Sequence, residues 1–211
     1  MKTETILAVG VALVTTAAAV PATRAALRRS KHLPLLGEVL AIMPNLSRVR
    51  AFAYLPHLAQ AMAERGITTP RRKAAFLAQL ALESGELRWM EEIASGAAYE
   101  GRTDLGNTQP GDGVRYKGRG PIQLTGRANY RAAGKALGID LENNPQRAAE
   151  PDVGFRIAAW FWNSRDLNAL ADAGTVEAFR EITRRINGGY NGWEQRLAYW
   201  RRAQSVLGGA S

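Results

Sequence analysis

The stretch Thr69-Pro70-Arg71-Arg72-Lys73-Ala74-Ala75-Phe76-Leu77-Ala78-Gln79-Leu80-Ala81-Leu82-Glu83-Ser84-Gly85 decides the class of fold. Thr69 offers a side-chain oxygen to the orphan N–H groups of a helix start. Pro70 suits the first helical position, where its missing N–H costs nothing. Ala74, Leu77, Leu80 and Ala81 recur at helical spacing and form an inward face, and Gly85 can take the left-handed backbone that stops a helix. The pattern predicts a capped, buried helix that delivers Glu83 at its last turn.

The same periodicity appears on either side. Val39, Leu40, Ile42 and Met43 precede Pro44, and Ala53, Leu55, Leu58, Ala59 and Met62 precede Gly66. Downstream, helical pattern returns at 129–137, 152–162, 176–186 and 193–207, and no sustained period-two alternation occurs. The run from Gly96 to Gly126 is rich in glycine and poor in apolar periodicity, so it reads as a long loop or short hairpin. A long ordered loop in a compact domain is usually functional. The expected fold class is therefore mainly α, with at most a small β-hairpin.

Of the 211 residues, 46% are hydrophobic and 22% charged, enough for one core with a short appendage. There is no cysteine, which removes disulfides and thiolate metal sites, and the two histidines, His32 and His57, are far apart. Zinc and Ser-His-Asp chemistry are thereby disfavoured, no cofactor is expected, and carboxylates, hydroxyls and amides are left to carry any reaction. The formal charge of +9 favours an anionic partner. No zinc-finger spacing, aromatic RNA-binding strand or dense basic helix accompanies it, so no specific nucleic acid is expected.

The N-terminus differs from the rest. Residues 5–20 are uncharged and rich in Ala, Val and Leu, followed by Pro21 and the basic residues Arg24, Arg28, Arg29 and Lys31. This segment reads as a cleaved signal, a releasable membrane anchor through residues 5–23, or a buried helix of the domain. The stronger basic flank lies after the segment, which argues against a simple N-in anchor. The expected division is an export or membrane segment with a basic linker over 1–35 and a catalytic domain over 36–211. The protein is expected to be exported or tethered to the inner membrane, acting in the periplasm or cell wall.

Chemistry concentrates where the predicted helix ends. Glu83, Glu86, Glu91 and Glu92 fall within ten residues. Hydrolysis of a glycosidic bond requires two carboxyl groups, one protonated at the leaving oxygen and one activating water or attacking carbon. Glu83 follows the apolar face of Phe76, Leu77, Leu80 and Leu82, a setting that favours its protonated form, and Glu91 or Glu92 beyond the helix stop is suited to act as base. Clustered glutamates alone more often mark a solvated helix face. Residues 116–130, Tyr-Lys-Gly-Arg-Gly-Pro-Ile-Gln-Leu-Thr-Gly-Arg-Ala-Asn-Tyr, add a glycine-spaced turn followed by Gln123, Thr125 and Asn129, groups that hydrogen-bond sugar hydroxyls and N-acetyl amides. Trp160-Phe161-Trp162 continues an apolar helix face and reads as core rather than as a sugar platform.

These segments resemble the family 19 glycoside hydrolases, in particular the lysozyme-like endolysins of bacteriophages and related bacterial chitinases. The resemblance rests on Phe76 to Gln79 running into Glu83-Ser84-Gly85, Tyr99 to Arg102 with Leu105 to Thr108, and Gly111-Asp112-Gly113. It continues in the Lys117 to Tyr130 block, Trp160 to Trp162 and Ile186-Asn187-Gly188-Gly189, spanning about residues 38–208. It implies a lysozyme-like, two-lobed helical domain in which Glu83 is the general acid and Glu92, nine residues on, the base that activates water, with Glu91 as fallback. It also implies that Thr125 helps hold the water, that Gln123, Asn129 and Asn187 contact the sugar, and that Arg196 tethers the catalytic carboxylates. The mechanism implied inverts configuration, with carboxyls about 6.5–9.5 Å apart.

The expected function is thus an endolysin-type muramidase cutting β-1,4 bonds of peptidoglycan, in a phage-lysis setting. The alternatives are a chitinase and a catalytically inactive wall-binding module; the expected partner is peptidoglycan or chitin, and the expected state monomeric. Two departures stand out: the family pattern has His and a second Gly where this chain has Leu82 and Glu86. Leu82 is expected to make the surroundings of Glu83 less polar, and the charge of Glu86 to act on Glu83 in the same direction.

Overall fold

The computed structural model describes residues 33–208, so the apolar segment at 5–23 lies outside the described residues. Nine α-helices are formed among them: α1 (Leu33–Ile42), α2 (Arg48–Glu64), α3 (Pro70–Glu83), α4 (Asp112–Arg115), α5 (Arg127–Leu137), α6 (Pro151–Asn163), α7 (Leu167–Ala173), α8 (Val176–Asn187) and α9 (Trp193–Leu207). The expected mainly α class holds. In place of a hairpin, the described residues hold two isolated bridges, Glu91 with Arg119 and Arg119 with Leu124. None of the described helices is long and apolar enough to cross a membrane.

Helix α3 is the axis of the fold. The Thr69 hydroxyl accepts from Arg72 N at 3.3 Å, Pro70 opens the helix, and every residue from Ala74 to Ala81 is buried. A helix buried all round has neighbours on all sides. Here α9 lies along it, with α7 and α1 also in contact. The stacked pair Phe179–Trp200, 4.7 Å between centroids, joins α8 to α9, and Phe76 meets Trp162 edge to face at 5.4 Å. Trp162 is thus core, as the apolar spacing of α6 predicts.

Helix α3 ends as a Schellman motif: Glu86 N donates to Ala81 O at 2.6 Å and Gly85 N to Leu82 O at 3.3 Å, with Gly85 at φ +56°. Residues 88–149, with α4 and α5, build a smaller lobe that packs on α6 through α5 and the turn at Pro145–Ala149. There Gly120 meets Gly154 of α6 so closely that a Cβ on either would lie 2.8 Å from Ala148 O. The glycine-rich segment is more ordered than its composition suggests, with short 3₁₀ turns at Ala97–Tyr99 and Thr103–Leu105 and the one-turn α4. Buried Asp112 organises it by accepting from Thr108 N, Gln109 N and the Arg127 guanidinium.

Helix α7 has no counterpart in the sequence reading. Seven residues are too few to show periodicity. Tertiary bonds secure it instead: Trp162 Nε1 donates to Asn168 Oδ1 at 2.9 Å, and Arg72 pairs with Asp172 at 2.5 Å.

Candidate active site

Glu83 sits on the last turn of α3, facing α9. Its Oε1 accepts from Arg196 Nη2 at 2.6 Å, and Oε2 makes no hydrogen bond among the described residues. Arg196 is 2% exposed. It also donates from Nη1 to Gln79 Oε1 and from Nε to Asn191 O at 3.1 Å. Gln79, one helical turn before Glu83 and fully buried, donates in turn to Thr183 Oγ1 of α8 at 2.9 Å. A buried guanidinium needs full pairing, and this one is satisfied by a carboxylate, an amide and a carbonyl. The expected apolar setting of Glu83 is therefore corrected: a guanidinium faces its carboxylate.

The second departure also reads differently in three dimensions. Glu86 points its side chain to α9 and the turn before α2. Its carboxylate is bonded by Asn45 and the Tyr199 hydroxyl. Leu82 packs against the backbone of Gly192, where an added Cβ would lie 2.5 Å from Leu82 Cδ2.

Glu92 lies on the edge of the smaller lobe, pinned by reciprocal contacts with Gly118. Glu92 N donates to Gly118 O at 2.9 Å, and Gly118 N donates to Glu92 Oε2 at 3.0 Å. Its Oε1 accepts from the Tyr99 hydroxyl at 3.0 Å, and burial together with this carboxylate raises the pKa of Tyr99. Glu91, the fallback base, is held elsewhere, by Lys117 Nζ at 3.1 Å and Arg119 Nη2 at 3.2 Å. Burial pushes the Glu91 carboxyl up, but these two cations outweigh it and the net shift is downward. Glu91 thus secures the turn at Arg119, whereas the Glu92 carboxylate is bonded by two neutral donors, Gly118 N and the Tyr99 hydroxyl.

The loop after Gly118 folds over at Gly120-Pro121-Ile122-Gln123. Arg119 and Leu124 exchange backbone hydrogen bonds at 3.1 and 2.8 Å, and Gly120 (φ +75°) and Gln123 (φ +54°) supply left-handed backbone. This brings three oxygens together: a Cβ on Gly118 would come within 2.8 Å of Gln123 Oε1, 3.1 Å of Glu92 Oε2 and 3.4 Å of Thr125 Oγ1. Thr125 Oγ1 donates to Gln123 O at 2.9 Å, which leaves its lone pairs to accept. Asn129 Nδ2 holds Thr125 O at 2.7 Å. Gln123, Thr125, Asn129 and Glu92 therefore form one cluster.

Asn187 and Arg196 belong to the Glu83 side. Asn187 Oδ1 accepts from Asn191 N at 3.2 Å while Arg196 holds Asn191 O, so the two brace the loop at 188–192 from both ends. Gln79 and Thr183 are contributors the residue-by-residue reading did not single out, whereas Tyr99, read from the sequence as flanking the cleft by stacking or packing, instead donates its hydroxyl to Glu92. For Gln79 the signal was present, as a lone polar side chain one turn before Glu83 on an otherwise apolar helix. For Thr183 it lay only in the contact of α8 with α3.

With this geometry in view, comparison with known proteins is specific. The chain is 44% identical over 128 residues to an endochitinase of Arabidopsis thaliana, covering 60% of this chain and 43% of that one. It is 39% identical over 110 residues to a glycosyl hydrolase family 19 domain-containing protein of Haemophilus influenzae, covering 52% of each. It thus spans about half or less of the length of these relatives. The crystal structure of chitinase C from Streptomyces griseus superposes with a TM-score of 0.65 at 29% identity, covering 82% of this chain and 75% of that one. A bacterial family 19 chitinase superposes with a TM-score of 0.66 at 26% identity, covering 82% and 93%. The sequence model of glycoside hydrolase family 19, described as chitinase class I, matches residues 60–172, more than half of the chain and the stretch that carries both candidate carboxylates, and the protein belongs to that family.

Proposed function

We propose that the protein hydrolyses β-1,4 bonds of N-acetylhexosamine polymers by single displacement with inversion, its substrate being the glycan strands of peptidoglycan. The observation that carries the reading is the gathering of Glu92, Thr125 and Gln123 oxygens over Gly118, in the smaller lobe, with Glu92 nine residues along the chain from a helix-end glutamate that has one oxygen unbonded among the described residues. In this reading Glu83 gives its proton from Oε2 to the glycosidic oxygen as the C1–O bond breaks, and Arg196 stabilises the carboxylate left behind. A water held between Glu92 and the Thr125 lone pairs attacks C1 from the opposite face and passes its proton to Glu92. The products are a free hydroxyl on one sugar and an inverted hemiacetal on the other. Gly118 N and Tyr99 orient Glu92 through separate oxygens, and Gln123, Asn129 and Asn187 bind hydroxyl and N-acetyl groups.

The charge of +9 supports an anionic wall as target, and the same proposal takes in action in the periplasm or wall, reached by way of the 5–23 segment, with lysis of a host cell as the setting. Chitin is the second reading, favoured by the chitinase names of the relatives and solved structures. Wild type, Glu83→Gln and Glu92→Gln digested side by side with purified peptidoglycan and chitin oligomers, with mass analysis of products, test both. Release of glycan fragments by wild type alone supports the two-carboxylate mechanism, and the reducing-end sugar names the bond. Equal release by all three would remove these residues from the mechanism, and binding without release would leave a wall-binding module.

A further inference from the structure

Between Glu83 and Glu92 the chain must leave a helix, reverse, and re-emerge as the edge that meets Arg119. It does so through three consecutive residues with left-handed backbone, Gly85 (φ +56°), Glu86 (φ +64°) and Leu87 (φ +58°), of which only the first is glycine. Such backbone is unfavourable for an L-residue and persists only where the surroundings enforce it. Around Glu86 they do. Its side chain is 3% exposed, and its carboxylate accepts from Asn45 N at 2.5 Å, Asn45 Nδ2 at 2.9 Å and the Tyr199 hydroxyl at 2.7 Å. Asn45 lies between α1 and α2 and Tyr199 on α9, so one side chain ties the turn to two elements remote in sequence.

A buried carboxylate bonded by neutral donors alone is an expensive way to close a turn that glycine would close without strain. What the arrangement provides is a fixed pivot. From Glu86 onward the backbone is bonded at short intervals: Leu87 N to Ser84 Oγ at 2.8 Å, Trp89 N to Ser84 O at 3.0 Å, Gly120 N to Met90 O at 2.8 Å, and Glu92 N to Gly118 O at 2.9 Å. A shift at Glu86 is thereby passed on to Glu92. We propose that Glu86 is a positioning residue for the reaction, setting the separation and facing of Glu83 and Glu92 through the turn they share. The role rests on the two-carboxylate reading above.

The test is steady-state kinetics on soluble N-acetylhexosamine oligomers for wild type, Glu86→Gly, Glu86→Gln and Tyr199→Phe, each confirmed folded by circular dichroism at the assay temperature. Tyr199→Phe removes one bond to Glu86 while leaving the turn and its glutamate in place. Misplacing a reacting group by a fraction of an ångström to one ångström costs roughly tenfold to a hundredfold in rate, so Glu86→Gly is expected to lose about tenfold in kcat. KM should stay within about twofold, Tyr199→Phe should lose less, and Glu86→Gln should recover part of the loss, because Gln keeps one acceptor for Asn45 and can donate to Tyr199. Wild-type kcat in all three variants, even with lowered melting points, would reduce Glu86 to a stabilising contact and overturn the proposal. A rise in KM with kcat unchanged would overturn it in favour of a sugar-binding role. Wild type without turnover on these oligomers, on chitin and on peptidoglycan would instead remove the catalytic reading itself, and this role with it.

Discussion

Gly118 donates its backbone N–H to Glu92 Oε2 at 3.0 Å, and by having no side chain leaves open the space that the oxygens of Glu92, Gln123 and Thr125 share. The first prediction follows from this double role. Gly118 is not in left-handed backbone, so alanine is tolerated conformationally there. Its methyl group would nonetheless press on three side-chain oxygens at once. Gly118→Ala is expected to fold, to melt close to wild type, and to lose about a hundredfold in kcat. Full activity on peptidoglycan and chitin oligomers would show that the attacking water lies elsewhere.

The buried pair of Arg196 and Glu83 separates a chemical role from a structural one. Glu83→Gln keeps an acceptor for Arg196, and its cost in urea denaturation is expected to be about 1 kcal/mol. Arg196→Ala leaves Gln79 and Glu83 without their donor in the interior and is expected to cost about 3 kcal/mol or more. Both should lose activity, but only the second should lose stability on this scale. Comparable losses of stability in the two variants would contradict the pairing as drawn.

Thr183 tests the far end of that network. It is buried on α8, and its hydroxyl is the acceptor for Gln79 Nε2. Thr183→Val preserves shape and strands the amide, at a cost of about 1–3 kcal/mol. Activity measured well below the melting temperature should fall several-fold, because Gln79 no longer steadies Arg196. A variant as stable as wild type would mean that water or a rotated amide replaces the bond.

Acid sensitivity should trace in part to Glu142. Hydrogen bonds from Arg131 and, against partial burial, from Arg127 hold its carboxyl at about 2, below the ordinary 4.5. A carboxyl depressed in the folded state contributes stability that is complete above pH 4.5 and is lost as the pH falls toward 2. Denaturation midpoints followed across that window should decline less steeply for Glu142→Gln than for wild type. Parallel declines would assign the acid sensitivity to other carboxylates, Asp112 first among them, since the Arg127 hydrogen bond likewise lowers its pKa.

The sequence disclosed the helices that carry a long apolar face, and for α3 also both ends, because Thr69, Pro70 and Gly85 mark local physics that tertiary contacts do not override. Helix α9 was legible to the residue, from Trp193 to Leu207. Helix α7 was not, being held by contacts of Asn168 to Arg65 O and of Asp172 to Arg72, both about a hundred residues distant in sequence. Within the candidate site, Gln123, Thr125 and Asn129 come together as their spacing suggests, and Arg196 meets Glu83 as the family resemblance implies. The surroundings of Glu83 were misread twice: the apolar run before it hid the buried Arg196 that meets it from α9, and the chain after it suggested a neighbouring charge. Adjacency in sequence placed the Glu86 charge beside it, whereas a left-handed turn carries that charge to Asn45 and Tyr199.

The contact of Gly120 with Gly154 bears on how the candidate site can be re-engineered. With Ala148 O 2.8 Å from a Cβ on either glycine, the loop bearing Gln123 is seated on α6 with no room for a single methyl group, so substitutions meant to widen or reshape the smaller lobe have nowhere to begin there. On the Glu83 side, Gly188 has open space where a side chain would project and Gly189 has only Asn187 Oδ1 at 3.8 Å. Libraries that vary the candidate site should therefore be spent on Gly189, the more permissive position because Gly188 holds φ +73°, and not on Gly192, where a Cβ would lie 2.5 Å from Leu82. Variation would concentrate on one bank of the site while the other stays fixed.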